Sequence, residues 1–170
     1  MNADEAAELM QRPLESRDFN QVAQWLRGTE SEARVCFLKE HFDHSASYRL
    51  AISTINNRDE ALEILRFGLD AIRSAHSQQT KAMAQFGVTK LGGKRTISEI
   101  ASRIGTQPHV VDMALYWMPS MIPKEDPARK PLKALRKQAE ELEIIRPTRR
   151  TLSIQMVAGG HQPPTRPEST

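Results

Sequence analysis

At 170 residues, with 39% apolar and 26% charged residues, the chain is long enough to bury one core and too apolar to remain unfolded. Lysine and arginine number 24 against 21 acidic residues, a mild excess that permits an anionic partner without demanding one. Cys36 is the single cysteine, which excludes an intrachain disulfide and points to a reducing compartment.

The acidic start MNADEAAELM lacks the basic opening and apolar run of a secretory signal. Nowhere does the sequence approach the ~18 consecutive apolar residues of a membrane span. A cytoplasmic protein without membrane contact is expected.

Helix starts are marked by capping boxes, in which an N-cap side chain accepts the backbone N–H three residues on and a Glu or Gln there reaches back. Asp18-Phe-Asn-Gln21 opens a helix with Phe19, Val22, Ala23 and Leu26 on one stripe. Thr29-Glu-Ser-Glu32 opens the next, with Ala33, Phe37 and Leu38. In it Cys36, Glu40 and His44 share a face, beside His41 and Asp43. A metal centre needs ligands from a second element, and no further Glu-x-x-His or His/Cys cluster supplies them, so no metal is expected. Cys36, between Val35 and Phe37, reads as a packed thiol.

A helix follows at about 45–55, with Tyr48, Leu50, Ala51 and Ile55. Asn57-Arg-Asp-Glu60 then opens one carrying Ala61, Leu62, Leu65, Leu69 and Ile72, and another covers 77–91. Between Gly87 and Thr96 the glycines suggest a phosphate loop, but the spacing is off by one residue and Arg95 stands where a magnesium-binding hydroxyl belongs. No serine or cysteine occupies a nucleophile motif, so the expectation is a non-enzymatic protein with no catalytic residue and no cofactor.

Thr96-Ile-Ser-Glu99 opens a helix with Ile97, Ile100, Ala101 and Ile104, and Gly105 fits a left-handed residue at its end. Pro108 suits the first turn of a helix over 108–118, which Pro119 and Pro123 should stop near Met118. A last helix runs from Pro127 or Pro131 to Ile145, with Leu132, Leu135, Ala139 and Leu142 inward. Residues 1–145 thus read as one domain and the Pro/Gly/Thr/Arg-rich residues 146–170 as a disordered tail. TLSIQMV at 151–157 is a lone extended candidate, so the fold class is all-α.

The segment 96–115, in the register Ile-Ala-x-x-Ile-Gly-x-x-Pro-x-x-Val, resembles the helix-turn-helix of bacterial repressor and partition proteins. That resemblance implies DNA binding, with Gln107, His109 and Tyr116 offered to the major groove and Lys94 and Arg95 to phosphate. The charges oppose it: no Lys or Arg lies between Thr106 and Met121, and Asp112 sits at the centre of the recognition surface.

A second resemblance covers more of the chain. Leu91-Gly92, Lys94-Arg95, Ile97 to Ile100, Pro108-His-Val110, Ala114 and Trp117 follow the order of HEAT-type repeats of the phycobilisome-lyase kind, over roughly residues 57–145. It departs in having Val111 where an Arg is usual. The resemblance implies a short α-solenoid of stacked helical hairpins. Charged pairs at Arg17-Asp18, Arg58-Asp59 and Lys94-Arg95 recur at intervals near ~40 residues, as stacked units do, against the alternative of an irregular bundle.

The resulting expectation is a protein-binding scaffold or adaptor, with DNA binding through 96–118 as the alternative. Nine basic against five acidic residues between Lys124 and Arg150 add a possible anionic partner, nucleic acid or acidic protein.

Overall fold

In the computed structural model the described residues are 1–42, 46–73 and 77–145. They form helices and no strand: α1 (Ala3–Met10), α2 (Ser16–Gly28), α3 (Ser31–Glu40), α4 (Ser47–Thr54), α5 (Arg58–Ala71), α6 (Ser77–Leu91), α7 (Gly93–Ala101), α8 (Pro108–Met121) and α9 (Arg129–Glu141). None is long and apolar enough to cross a membrane. The stretch 151–157, the 146–170 tail, Asp43 and His44 lie outside the described residues.

The helices sort into two sets by contact. α2 packs on α4, α4 on α6 and α6 on α8, while α3 packs on α5 and α7 on α9. α6 also meets α5 and α7, so it runs through the middle of the molecule. Its side chains explain that position: Thr80, Met83, Ala84 and Phe86 are fully buried on one helix, beside Gly87. A Cβ at Gly87 would stand 2.7 Å from Thr96 Cγ2, so the missing side chain is what lets α7 approach. Gly68 of α5 does the same for Met83 and Phe42. The core is continuous from Ala6 to Ala139.

α2 belongs with α4, whereas α5 and α7 lie in the other set. Arg17-Asp18 therefore does not occupy the place of Arg58-Asp59 and Lys94-Arg95, and the 41-residue interval between the first two pairs joins helices of unlike position.

Most helix boundaries follow the apolar periodicity, although the last helix ends at Glu141 rather than Ile145 and leaves Leu142 exposed instead of inward. The caps mostly do not follow the sequence pattern. Asn57 is a true N-cap, accepting from the Asp59 N–H at 2.8 Å. The complete capping box is Asn2 with Glu5, which opens α1, a helix the periodicity did not mark. Asp18 lies inside α2 and pairs with Arg12 at 2.9 Å. Thr29 ends α2, its hydroxyl donating to the Trp25 carbonyl. Thr96 lies inside α7 and donates to the Gly92 carbonyl. The reason at α7 is Gly92, whose φ of 83° and ψ of 160° make a conformation reserved for glycine and turn the chain into the helix early.

Gly105 has no positive φ, contrary to the left-handed residue expected there. After Ala101 the chain continues in tight right-handed turns, with Ile104 N–H bonded to Ala101 and Thr106 and Gln107 N–H to Arg103. α8 does not stop near Met118 as Pro119 and Pro123 suggested but passes through Pro119 and ends at Met121. Pro119 cannot donate to the Leu115 carbonyl. Arg136 of α9 does so instead, from Nη2 at 3.1 Å. Arg129 closes the same helix end, donating to the carbonyls of Pro119 (2.8 Å), Ile122 and Pro123 (3.1 Å), where a cation also suits the helix dipole.

Candidate functional site

The residues that would contact DNA in a helix-turn-helix lie at the start of α7 (Lys94, Arg95) and at the start and middle of α8 (Gln107, His109, Tyr116). Lys94 and Arg95 are exposed at the start of α7, where Arg95 pairs with Glu99 at 3.2 Å. Gln107 and His109 come together over the end of α5. The amide of Gln107 donates to the Asp70 carbonyl at 3.4 Å, and His109 Nε2 lies 3.0 Å from the Ile72 carbonyl. Both close the C-terminus of a neighbouring helix, whose last carbonyls lack partners of their own. Tyr116 is 70% exposed on the opposite stretch of α8, its ring edge-on to Trp117 at 4.8 Å.

One face of α8 is enclosed, while Tyr116 and Ser120 stay exposed on the other. Val110, Val111, Ala114, Leu115 and Met118 are buried, and α6, α7 and α9 all pack against the helix.

The electrostatics of α5 and α7 centre on Glu99 and Arg103, neither of which the sequence singled out for this role. Arg66 grips the Glu99 carboxylate with two bonds, Nε at 2.9 Å and Nη2 at 3.1 Å. Those bonds outweigh the burial that disfavours charge, and with Arg95 and Arg103 nearby they hold the Glu99 carboxyl below the usual carboxylate range. Arg103, buried, donates to the Glu99 carbonyl (2.6 Å), the Arg66 carbonyl (3.2 Å) and the Asp70 carboxylate (2.9 Å). A similar lock joins α3 to α5. Burial pushes the Glu60 carboxyl up, but hydrogen bonds from Arg34 and Ser31 and the Arg34 charge leave it lowered overall. Lys39 pairs with Glu63 on the same side.

Cys36 is exposed rather than packed, and its thiol donates to Glu40 at 3.4 Å. That hydrogen bond and the adjacent carboxylate push the thiol pKa up, which disfavours the nucleophilic thiolate. Among the described residues, no three His, Cys, Asp or Glu side chains gather as a metal would require.

In the basic region, Arg129 and Arg136 are engaged with carbonyls of α8 and Lys137 with Glu141 at 3.6 Å. Lys124, Lys130 and Lys133 stay exposed, and Arg146, Arg149 and Arg150 lie outside the described residues.

On the α2–α4–α6–α8 side, two cations are held over aromatic rings. The Arg49 guanidinium lies 4.7 Å from the Phe19 centroid, and Lys81 Nζ lies 4.4 Å from that of Trp117. No single residue type announces these pairs in the sequence, since each bridges helices about thirty or more residues apart. No protein-family model matches the chain, and neither the curated proteins nor the solved structures yield a match.

Proposed function

We propose that the chain is a short stack of helical hairpins, HEAT-like in order, that acts as a protein-binding scaffold or adaptor. The observation that carries this reading is the partial enclosure of α8. Its apolar face is buried among α6, α7 and α9, and Gln107 and His109 are turned onto the end of α5. A recognition helix must instead present its first turns to a groove. The packing of α2 on α4, α4 on α6 and α6 on α8, with α3 on α5 and α7 on α9, supports the stacking part of the proposal, and the Arg66–Glu99 pair joins α5 to α7.

Affinity capture by the full chain, with and without nuclease, tests the function. Partners retained after nuclease treatment fit a protein scaffold. Recovery that vanishes with nuclease would sink it and favour the DNA-binding alternative through residues 96–118.

A further inference from the structure

The two sets of helices differ in charge. α3, α5 and α7 carry seven acidic and six basic residues, and their side chains largely answer one another: Arg34 with Glu60, Lys39 with Glu63, Arg66 and Arg95 with Glu99; Arg103, just past α7, answers Asp70. α2, α4, α6 and α8 carry five basic residues against Asp18 and Asp112, and α4 and α6 contain no acidic residue at all. Of the five, Arg27 donates to the Ser53 carbonyl, Arg49 lies over Phe19 and Lys81 over Trp117. Among the described residues none of these three has a carboxylate partner.

We infer that the outer face of α4, α6 and α8, with the adjoining edge of α2, binds an extended acidic segment of another protein. The inference rests on the scaffold reading above. Its chemistry is specific. Arg49 and Lys81 are held in place by aromatic faces, which keeps each positive charge at a fixed position on its helix while leaving it open to an anion. Tyr116 adds a large exposed ring beside Trp117, the kind of amphipathic anchor that binding surfaces favour. One turn to either side of Lys81, Gln78 and Gln85 are exposed on α6, with side-chain amides able to both donate to and accept from an extended backbone.

Geometry sets the pattern of the occupant. Packed helices lie roughly 8–10 Å apart and an extended chain advances about 3.3 Å per residue, so a segment crossing the helices meets a new one about every three residues. The matching segment carries an acidic side chain at every third position and an aromatic or apolar one for Tyr116. Nucleic acid fits less well. Duplex or single-strand binding draws on many closely spaced cations, whereas α8 contributes no Lys or Arg and α4 contributes only Arg49.

The test is a fluorescence-anisotropy titration of the full chain with three labelled probes. The first is a peptide of about a dozen residues, with Glu at every third position and one Phe, long enough to span α2 to α8. The second has the same composition with the Glu residues clustered, and the third is an oligodeoxythymidine of similar charge. The spaced peptide is expected to bind best. Arg49→Gln/Lys81→Gln should weaken it roughly tenfold and Tyr116→Ala several-fold. Ala33→Glu/Ser98→Glu lowers the net charge equally but on exposed positions of α3 and α7, and should leave affinity within about twofold. Circular dichroism of each variant confirms that it is folded. Equal losses in the two double variants, or no loss in either, would overturn the assignment to this face. Preference for the clustered peptide would overturn the crossing geometry. Tighter binding of the oligonucleotide, or binding of no probe, would overturn the acidic-segment inference. Nuclease-resistant capture would in that case still stand for the scaffold reading.

Discussion

Replacing Arg136 by Ala should cost stability chiefly because of a residue on another helix. Pro119 deprives the Leu115 carbonyl of its partner one turn on, and Leu115 is 1% exposed, so water offers a poor substitute. Arg136 supplies the missing donor at 3.1 Å. A buried acceptor left unsatisfied costs about 1–3 kcal/mol. The loss should lower Tm by roughly 2–4 °C for each kcal/mol in a chain of this size. The control is Pro119→Ala, which restores an N–H to the helix at the right place. In that background Arg136→Ala should cost only about 0.5 kcal/mol, so the double-mutant cycle should show a coupling of about 0.5–2.5 kcal/mol. Urea unfolding followed by far-UV circular dichroism measures each corner. If Arg136→Ala costs the same with and without Pro119, the carbonyl argument is wrong and the side chain matters only for its packing.

Other outcomes follow from the same structure. Gly87→Ala should destabilise by about 1–3 kcal/mol despite the ~1 kcal/mol helix-propensity gain of alanine, because Thr96 and Leu65 block the new methyl, whereas Gly105→Ala meets nothing within 4 Å and should be neutral; thermal melts distinguish the two. The carboxyls of Glu60 and Glu99 are lowered on folding, so their contribution is complete above the unfolded carboxylate pKa of about 4.3 and is lost as pH falls through and below it. Urea midpoints measured from pH 7 down to about pH 3 should therefore fall on the acid side, and less steeply in Glu99→Gln; a parallel fall would refute the assignment. Cys36 should react slowly with iodoacetamide at neutral pH and faster in Glu40→Gln, since removing the carboxylate returns the thiol toward its ordinary value.

Much of the local structure was legible from residue order. The apolar stripe of Leu65, Leu69 and Ile72 and the run 77–91 marked α5 and α6 closely, because a 3.6-residue period needs only neighbours to declare itself. Caps were less legible. Thr96-x-x-Glu99 has the letters of a capping box, yet Gly92 had already turned the chain and Arg66, from another helix, claimed Glu99. The candidate DNA contacts show the same limit. Gln107 and His109 stand in sequence where a recognition helix begins, and only the fold sets the end of α5 against them.

By itself the sequence determined the all-helical fold class, most of the helices and most of their inward-facing residues, since these depend on spacing within a few turns; Ala33, Cys36 and Leu142, expected inside, are exposed. Tertiary structure decided which charges answer one another and which remain available. Arg103 reaches Asp70 and Arg66 over separations of 33 and 37 residues, and Arg136 reaches Leu115 over 21. Such pairings depend on the packing of whole helices, and no local pattern encodes them.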